Sequence, residues 1–325
     1  ARIDVPWDRI LHGHAGSVAA VVAAPANSAY AGSVLTASGD SDVRIWSPAN
    51  LRSVRAVGLH SPQDQAAIKG VAWSGPWNAG NPIPYLAVAR DAVCLFRLEP
   101  GQPAKFCKGV SGRTSEWVPT CLEWGWSVSS DRYLVFGCGN GGVVGWSPRQ
   151  ESTTSRFVLR GHTGSVTALA HDHTGNTLAS ASADKSVRLW DMRNKQCTAT
   201  LLHAEEVRGV AWLSAQVLAS CDGPTISLWD RRSLQSFRPL QRLRLPAQHR
   251  VQCLAAGPTA TPAAGMLAVG CTEGLARVYD ARSWEVVANI KEDAATVNAC
   301  CWAADGARLW CGMSDHTVRV WSPGA

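Results

Sequence analysis

Apolar and polar residues alternate over short runs along most of the chain, and seven of these runs close on an aromatic residue. They are Val43-Arg-Ile-Trp46, Val93-Cys-Leu-Phe96, Val143-Val-Gly-Trp146, Val187-Arg-Leu-Trp190, Ile226-Ser-Leu-Trp229, Ala276-Arg-Val-Tyr279 and Val318-Arg-Val-Trp321. The closing positions lie 39 to 50 residues apart. Each unit also holds an earlier run, such as Val166 to His171, matched by Val207 to Trp212 and Val297 to Trp302, and a middle run such as Leu178 to Ser182. A period of two, short runs, and Gly, Asp, Asn and Ser at the breaks predict strands rather than helices. A recurrence on this scale also predicts a repeat architecture.

The fourth unit carries the fullest pattern: Gly161-His162, Val166 to His171, Thr174-Gly175, Leu178 to Asp184, and Val187-Arg-Leu-Trp-Asp191. The first keeps Gly13-His14, Asp40 and Trp46; the fifth keeps His203, Asp222 and Trp229-Asp230; the seventh keeps Asp315 and Trp321. This pattern resembles the WD-repeat family. The second, third and sixth units depart from it, placing Arg90, Asn140 and Glu273 where the turn Asp belongs. The resemblance implies an all-β fold, a seven-bladed WD-repeat β-propeller in which each unit is a four-stranded blade and the sequence repeat is offset from the blade by one strand. One blade cannot bury both faces alone, so blades stack radially and need closure. Val5 to Leu11 precede the first Gly-His and the last unit stops after Trp321, so the N-terminal strand is expected to complete the last blade. Residues 1–325 are then expected to form a single propeller domain.

Composition narrows the class. Of the 325 residues 46% are hydrophobic and 17% charged, enough apolar material for a sizeable core and too little charge for a disordered chain. No apolar run reaches the 18 or so residues of a membrane span, and Asp4 and Asp8 interrupt the N-terminal stretch, so neither membrane insertion nor a secretion signal is expected. The eleven cysteines are odd in number and lack a CxxC pair, a distribution that suits buried free thiols in a reducing compartment, cytoplasmic or nuclear, and not a secreted protein. The net charge of +6 does not announce nucleic-acid binding, and nucleic acid is not an expected partner. Six arginines nonetheless fall between Arg231 and Arg250 with no acid among them.

His162, Ser180, Asp184 and Trp190 contain the groups of a nucleophilic triad, and a cryptic hydrolase is one reading of them. The family resemblance implies another. There these positions form a chain of hydrogen bonds from the indole to a hydroxyl, the imidazole and the turn carboxylate. The first unit repeats the set as His14, Thr36, Asp40 and Trp46, and the fifth approximates it as His203, Ser220, Asp222 and Trp229. A catalytic set needs one exposed copy in a cleft, whereas this one recurs, so no catalytic residue is assigned. Ser182 is as eligible as Ser180 for the hydroxyl role. No phosphate loop, HExxH or paired Cys/His spacing appears, and His171 and His173 lack a third ligand, so no cofactor and no metal are expected.

Function then falls to surfaces, with other proteins as partners and membership of a larger complex expected. Trp77 and Trp126 each follow a Trp that already fills the core position, Trp73 and Trp124, and are candidate contact residues; the alternative is that the long loop around Trp77 covers its own base. Trp117, Glu205, Glu206 and Arg250 are candidates on the opposite loops, with Trp117 equally readable as an inward residue of its own strand. Arg238, Arg242 and Arg244 make the Arg231–Arg250 segment a candidate rim for an acidic surface, or a charged edge that discourages sheet pairing. Finally, Trp190-Asp-Met-Arg193, Trp229-Asp-Arg-Arg232 and Tyr279-Asp-Ala-Arg282 resemble the WD-x-R box of cullin-RING ligase substrate receptors, which implies adaptor contacts for Arg193, Arg232 and Arg282.

Overall fold

The computed structural model describes residues 4–25, 28–47, 49–58, 67–74, 85–99, 105–110, 117–126, 132–146, 157–172, 174–232, 238–258, 261–291 and 295–323; the side chains of 54–58, 108–110, 126 and 132 are outside the description. The fold class is the expected one: all-β, a seven-bladed β-propeller, with no α-helix among the described residues.

Two short strands, β1 (Asp4–Val5) and β2 (Arg9–Leu11), precede the first blade. Blade one is β3 (Val18–Ala23), β4 (Val34–Ser38), β5 (Asp42–Trp46) and β6 (Ser53–Gly58). Blade two is β7 (Gly70–Trp73), β8 (Tyr85–Ala89), β9 (Val93–Arg97) and β10 (Lys105–Val110). Blade three is β11 (Pro119–Trp126), β12 (Arg132–Cys138), β13 (Val143–Trp146) and β14 (Phe157–Leu159). Blade four is β15 (Val166–His171), β16 (Thr177–Ser182), β17 (Ser186–Asp191) and β18 (Gln196–Leu202). Blade five is β19 (Val207–Trp212), β20 (Val217–Asp222), β21 (Thr225–Asp230) and β22 (Gln241–Arg244). Blade six is β23 (Val251–Ala256), β24 (Met266–Cys271), β25 (Leu275–Asp280) and β26 (Val286–Lys291). Blade seven is β27 (Val297–Trp302), β28 (Leu309–Met313) and β29 (Val318–Trp321), with β2 as its outer strand.

The chain divides into two compact units. The first comprises residues 1–88, 94–108 and 255–325. In it the expected N-terminal strand over Val5 to Leu11 is replaced by two. Arg9–Leu11 pairs antiparallel with Val318–Val320 and completes blade seven, while Asp4–Val5 joins the outer edge of blade six, parallel to Asn289–Ile290. Pro6 explains the break: it has no N–H to give to a ladder and fixes its own φ, so a single strand cannot run through it. Trp7, at the crossing, is buried. Blades seven and one share an apolar layer of Val18, Val21, Trp46, Trp310, Val318 and Val320.

The second unit comprises residues 89–93 and 109–254. Blades four and five share a layer built from Ala179, Val187 and Leu201 on one side and Val207, Val210, Trp212 and Trp229 on the other. Each buried Val or Leu side chain contributes roughly 1.5–3 kcal/mol. The innermost strand carries a register break at the same place in five blades, between Val18 and Ala20, Pro119 and Cys121, Val166 and Ala168, Val207 and Gly209, and Val297 and Ala299. A bulge of this kind leaves one residue unpaired and re-aims its side chain. The residues concerned are Ala19, Thr120, Thr167, Arg208 and Asn298.

Candidate functional site

In blade four, a tight turn between β16 and β17 places Asp184 beneath the Gly-His entry to the blade. Lys185 follows with φ of 65°, and Asp184 Oδ1 accepts from the Ser186 N–H at 3.0 Å. An acid here acts as a local backbone cap. The same turn recurs with Asp40 accepting from the Asp42 N–H at 2.9 Å, Asn140 from the Gly142 N–H at 3.1 Å, and Asp315 from the Thr317 N–H at 3.1 Å.

A relay of side chains rises from that turn. Trp190 Nε1–H donates to Ser180 Oγ at 2.8 Å, Ser180 and His162 Nε2 are 2.7 Å apart, and His162 Nδ1 lies 2.8 Å from Asp184 Oδ2. The carboxylate can only accept, so Nδ1 carries the proton, Nε2 accepts from the Ser180 hydroxyl, and that oxygen accepts from the indole. Blade one repeats the chain through Trp46, Thr36, His14 and Asp40 at 2.7, 2.8 and 3.0 Å. Ser182 stands outside the relay, and its hydroxyl donates to the Gly164 carbonyl at 2.9 Å, as Ser38 does to Gly16 at 2.7 Å. Both glycines are needed there, because a Cβ at Gly164 would come within 2.8 Å of the Asp184 nitrogen and one at Gly16 within 2.6 Å of the Asp40 nitrogen.

Burial lowers the His162 and His14 pKa values below the ordinary 6.5, despite the opposing pull of Asp184 and Asp40. Burial pushes the Asp184 carboxyl the other way, yet hydrogen bonds from Ser186, His162 and Thr163 outweigh it and hold the pKa below 3.8. The result is a neutral imidazole facing a carboxylate. Ser180 has no solvent exposure, and its hydroxyl is occupied by both neighbours.

Blade five corrects one expectation. Trp229 Nε1–H donates to Ser220 Oγ and His203 Nε2 meets the same oxygen, both at 2.8 Å, but His203 Nδ1 turns to the Leu201 carbonyl at 3.2 Å and not to Asp222. Spacing is the reason. Asp222 follows its hydroxyl residue by two positions, where Asp184 and Asp40 follow theirs by four, so it occupies the strand position of Ser182. Its carboxylate instead accepts from the Ala204 and Glu205 N–H groups at 3.2 and 3.3 Å. Burial lowers the His203 pKa as well. In blade seven Cys311 stands opposite Arg319, the place Ser180 takes opposite Arg188, and the buried Arg319 binds Asp315 at 2.7 Å.

The bulged residues form a second repeated feature, which the alternation of the sequence does not reveal. Thr120 Oγ1–H donates to the Val166 carbonyl, Thr167 Oγ1–H to the Val207 carbonyl, Asn298 Nδ2–H to the Val18 carbonyl at 3.1 Å, and Arg208 to Gln252 Oε1 at 2.8 Å. Each reaches the innermost strand of the following blade. A polar residue directly after the first apolar residue of that strand was the available signal. A further blade-to-blade clip joins Arg231 to the fully buried Asp172 at 2.8 Å and to Thr177 at 2.6 Å.

The candidate contact residues separate into groups. Trp77 lies outside the described residues, as does the side chain of Trp126. Trp117 is half-buried, with the Arg160 guanidinium 5.2 Å from its ring centroid and its edge where a Cβ on Gly142 would stand. Glu205 pairs with Arg250, and Glu206 lies 3.6 Å from Arg208. Arg193 and Arg232 are exposed and each binds the Asp two residues earlier, Asp191 at 2.9 Å and Asp230 at 2.7 Å. The backbone N–H of Arg282 donates to Asp280 at 2.7 Å. Arg238, Arg242 and Arg244 are exposed on or beside β22. His171 is buried with its Nε2 3.3 Å from the Tyr133 hydroxyl, and His173 lies outside the described residues. Among the described residues no cluster of three His, Cys, Asp or Glu is placed to hold a metal, and no helix is long and apolar enough to cross a membrane.

Residues 8–47, 153–191 and 284–322 match the family model "WD domain, G-beta repeat". The chain thus carries WD repeats in three stretches. It is similar to WD repeat-containing protein 18 of Danio rerio, 36% identical over 160 residues that make up 49% of this chain and 33% of the relative. Transducin beta-like protein 3 of Bos taurus is 29% identical over 151 residues, 42% of this chain and 18% of its own length. A ribosome biogenesis protein BOP1 homolog of Monosiga brevicollis is 36% identical over 75 residues, 22% of this chain and 9% of its own. The matched region thus spans a third or less of each of these relatives.

Proposed function

We propose that the protein is a non-enzymatic scaffold, residues 1–325 acting as a single seven-bladed propeller domain that docks other proteins within a multiprotein complex of the cytosol or nucleus. The observation that carries this reading is the saturation of its triad-like groups. His162, Ser180 and Asp184 are bonded to one another inside blade four, and His14, Thr36 and Asp40 repeat the arrangement in blade one. Chemistry needs a nucleophile that substrate can reach, and Ser180 is buried. WD-repeat kinship and a relative named for ribosome biogenesis support a place in an assembly. The test pairs a reactive-serine probe, which should leave Ser180 unlabelled, with affinity capture from the native source, which should retain a defined set of proteins. Labelling of Ser180 would reverse the reading.

A second reading, a ubiquitin-ligase substrate receptor, draws support from the matched poses of Arg193 and Arg232, each held outward by its own Asp in neighbouring repeats. Changing both to Ala should abolish capture of the ligase adaptor under this reading and leave the set of captured partners unchanged under the first.

A further inference from the structure

Of the six arginines between Arg231 and Arg250, three are engaged within the chain: Arg231 with Asp172, Arg232 with Asp230, and Arg250 with Glu205. Arg238, Arg242 and Arg244 have no carboxylate partner among the described residues. Two of the three stand on β22, the outermost strand of blade five, and no described strand lies beyond it.

The backbone of β22 has a definite phase. The Leu245 N–H donates to the Pro224 carbonyl at 2.9 Å, and Thr225 pairs with Arg244, Ile226 with Leu243 and Ser227 with Arg242. Antiparallel ladders alternate, so the backbone groups of Leu243 turn towards β21 while those of Arg242 and Arg244 turn outward. The same alternation puts the two guanidinium stems on one face. Leu240, just before the strand, is 59% exposed. This is an open ladder with a cation at every second residue and an apolar foothold at its start.

Blade six shows such an edge occupied. There β1 adds a fifth strand beside β26, with Asp4 opposite Asn289, which accepts from Arg277 Nε at 2.7 Å. An extended segment carrying an acid has docked on the outer edge of a blade of this very chain.

We propose that the outer edge of β22 receives an extended segment of a protein partner with Asp or Glu at alternate positions, added as a fifth strand of blade five. This rests on the scaffold reading and gives it a partner chemistry. Backbone hydrogen bonds to Arg242 and Arg244 supply the pairing, and acids at every second residue fall beside the guanidiniums at cross-strand distance.

The test uses a fluorescein-labelled peptide in which Glu alternates with Val, titrated with the protein and read by anisotropy. Saturable binding is expected, weakened about tenfold or more by the Arg242→Glu, Arg244→Glu double exchange. A Lys-for-Glu peptide should not bind. N-methylation of the alternate peptide nitrogens in one phase should abolish binding, and in the other phase should be tolerated, with every charge retained. Equal binding of both methylated peptides would overturn the strand addition, as would absence of binding. A single-stranded oligonucleotide that binds more tightly than the peptide and displaces it would also overturn the proposal, assigning the rim to phosphate backbone. Native partners that survive the double exchange while the peptide fails would remove this proposal and leave the scaffold reading standing.

Discussion

The hydroxyl of Thr167 donates to the carbonyl of Val207, and Thr167 is the residue that the bulge in β15 leaves without a cross-strand partner. The irregularity and the inter-blade bond are therefore one device: the bulge frees a side chain from its own sheet so that it can tie down the next. Thr120 and Asn298 do the same elsewhere. Replacing Thr167 with Val keeps the shape and removes the donor, and should lower unfolding free energy by about 1 kcal/mol, with Ser restoring part of it. Urea denaturation of the three proteins checks this; an unchanged Val variant would show the bond to be incidental.

The relay in blade four should behave as a unit. His162→Ala leaves both Ser180 and Asp184 without their shared partner, a loss of roughly 2–4 kcal/mol. The double change of His162→Ala with Ser180→Ala should cost much less than the sum of the two single changes, since they share one network. Thermal and urea unfolding measure both, and strict additivity would mean that the groups do not act together.

Three hydrogen-bonded histidines set an acid-side dependence of stability. His14, His162 and His203 all have pKa values lowered by burial, so the unfolded chain binds their protons more readily than the fold does. Their contribution is complete above the ordinary value of 6.5 and is lost as pH falls through it towards the lowered values. The carboxyls of Asp40 and Asp184 are held below 3.8, so a second loss follows as pH falls from that value. Stability measured between pH 8 and 4, a range of roughly the usual span for such titrations, should fall on the acid side, and less steeply in His162→Ala. A flat profile would contradict the neutral-imidazole assignment.

Arg231 and Arg232 are neighbours with opposite roles. Arg231 spans to the fully buried Asp172 of the preceding blade, so Arg231→Met strands a buried carboxylate and should destabilise by about 1–3 kcal/mol, discounted for the partly exposed guanidinium. The exposed Arg232 binds its own Asp230, and Arg232→Ala should leave the melting temperature unchanged. Reversed effects would invalidate the inter-blade clip.

The repeat is legible in the sequence because each closing run combines a period of two with a large aromatic, and all seven runs, from Val43-Arg-Ile-Trp46 to Val318-Arg-Val-Trp321, fall on the third strand of a blade. The relay in blades one and four is legible because its spacing is local and repeated. In the fifth, residue type misleads where spacing does not: Asp222 is the right residue two positions too early. The N-terminal segment alternates as one strand, yet the missing donor of Pro6 divides it between two blades. The bulge-borne links cannot be read from alternation, because a bulge is the place where alternation fails. Which arginines of the rim are engaged within the chain is also hidden, since the partners of Arg231 and Arg250, Asp172 and Glu205, lie far off in sequence.

On the scaffold reading this chain spends its triad-like groups on holding its blades together and acts through its outer surfaces. Size-exclusion chromatography of a gently lysed native source, followed by mass spectrometry of what coelutes with the tagged protein, tests that most directly. Elution ahead of the isolated chain, together with a fixed set of proteins, is the predicted result. Elution at the volume of the isolated chain, with no protein following it, would contradict it.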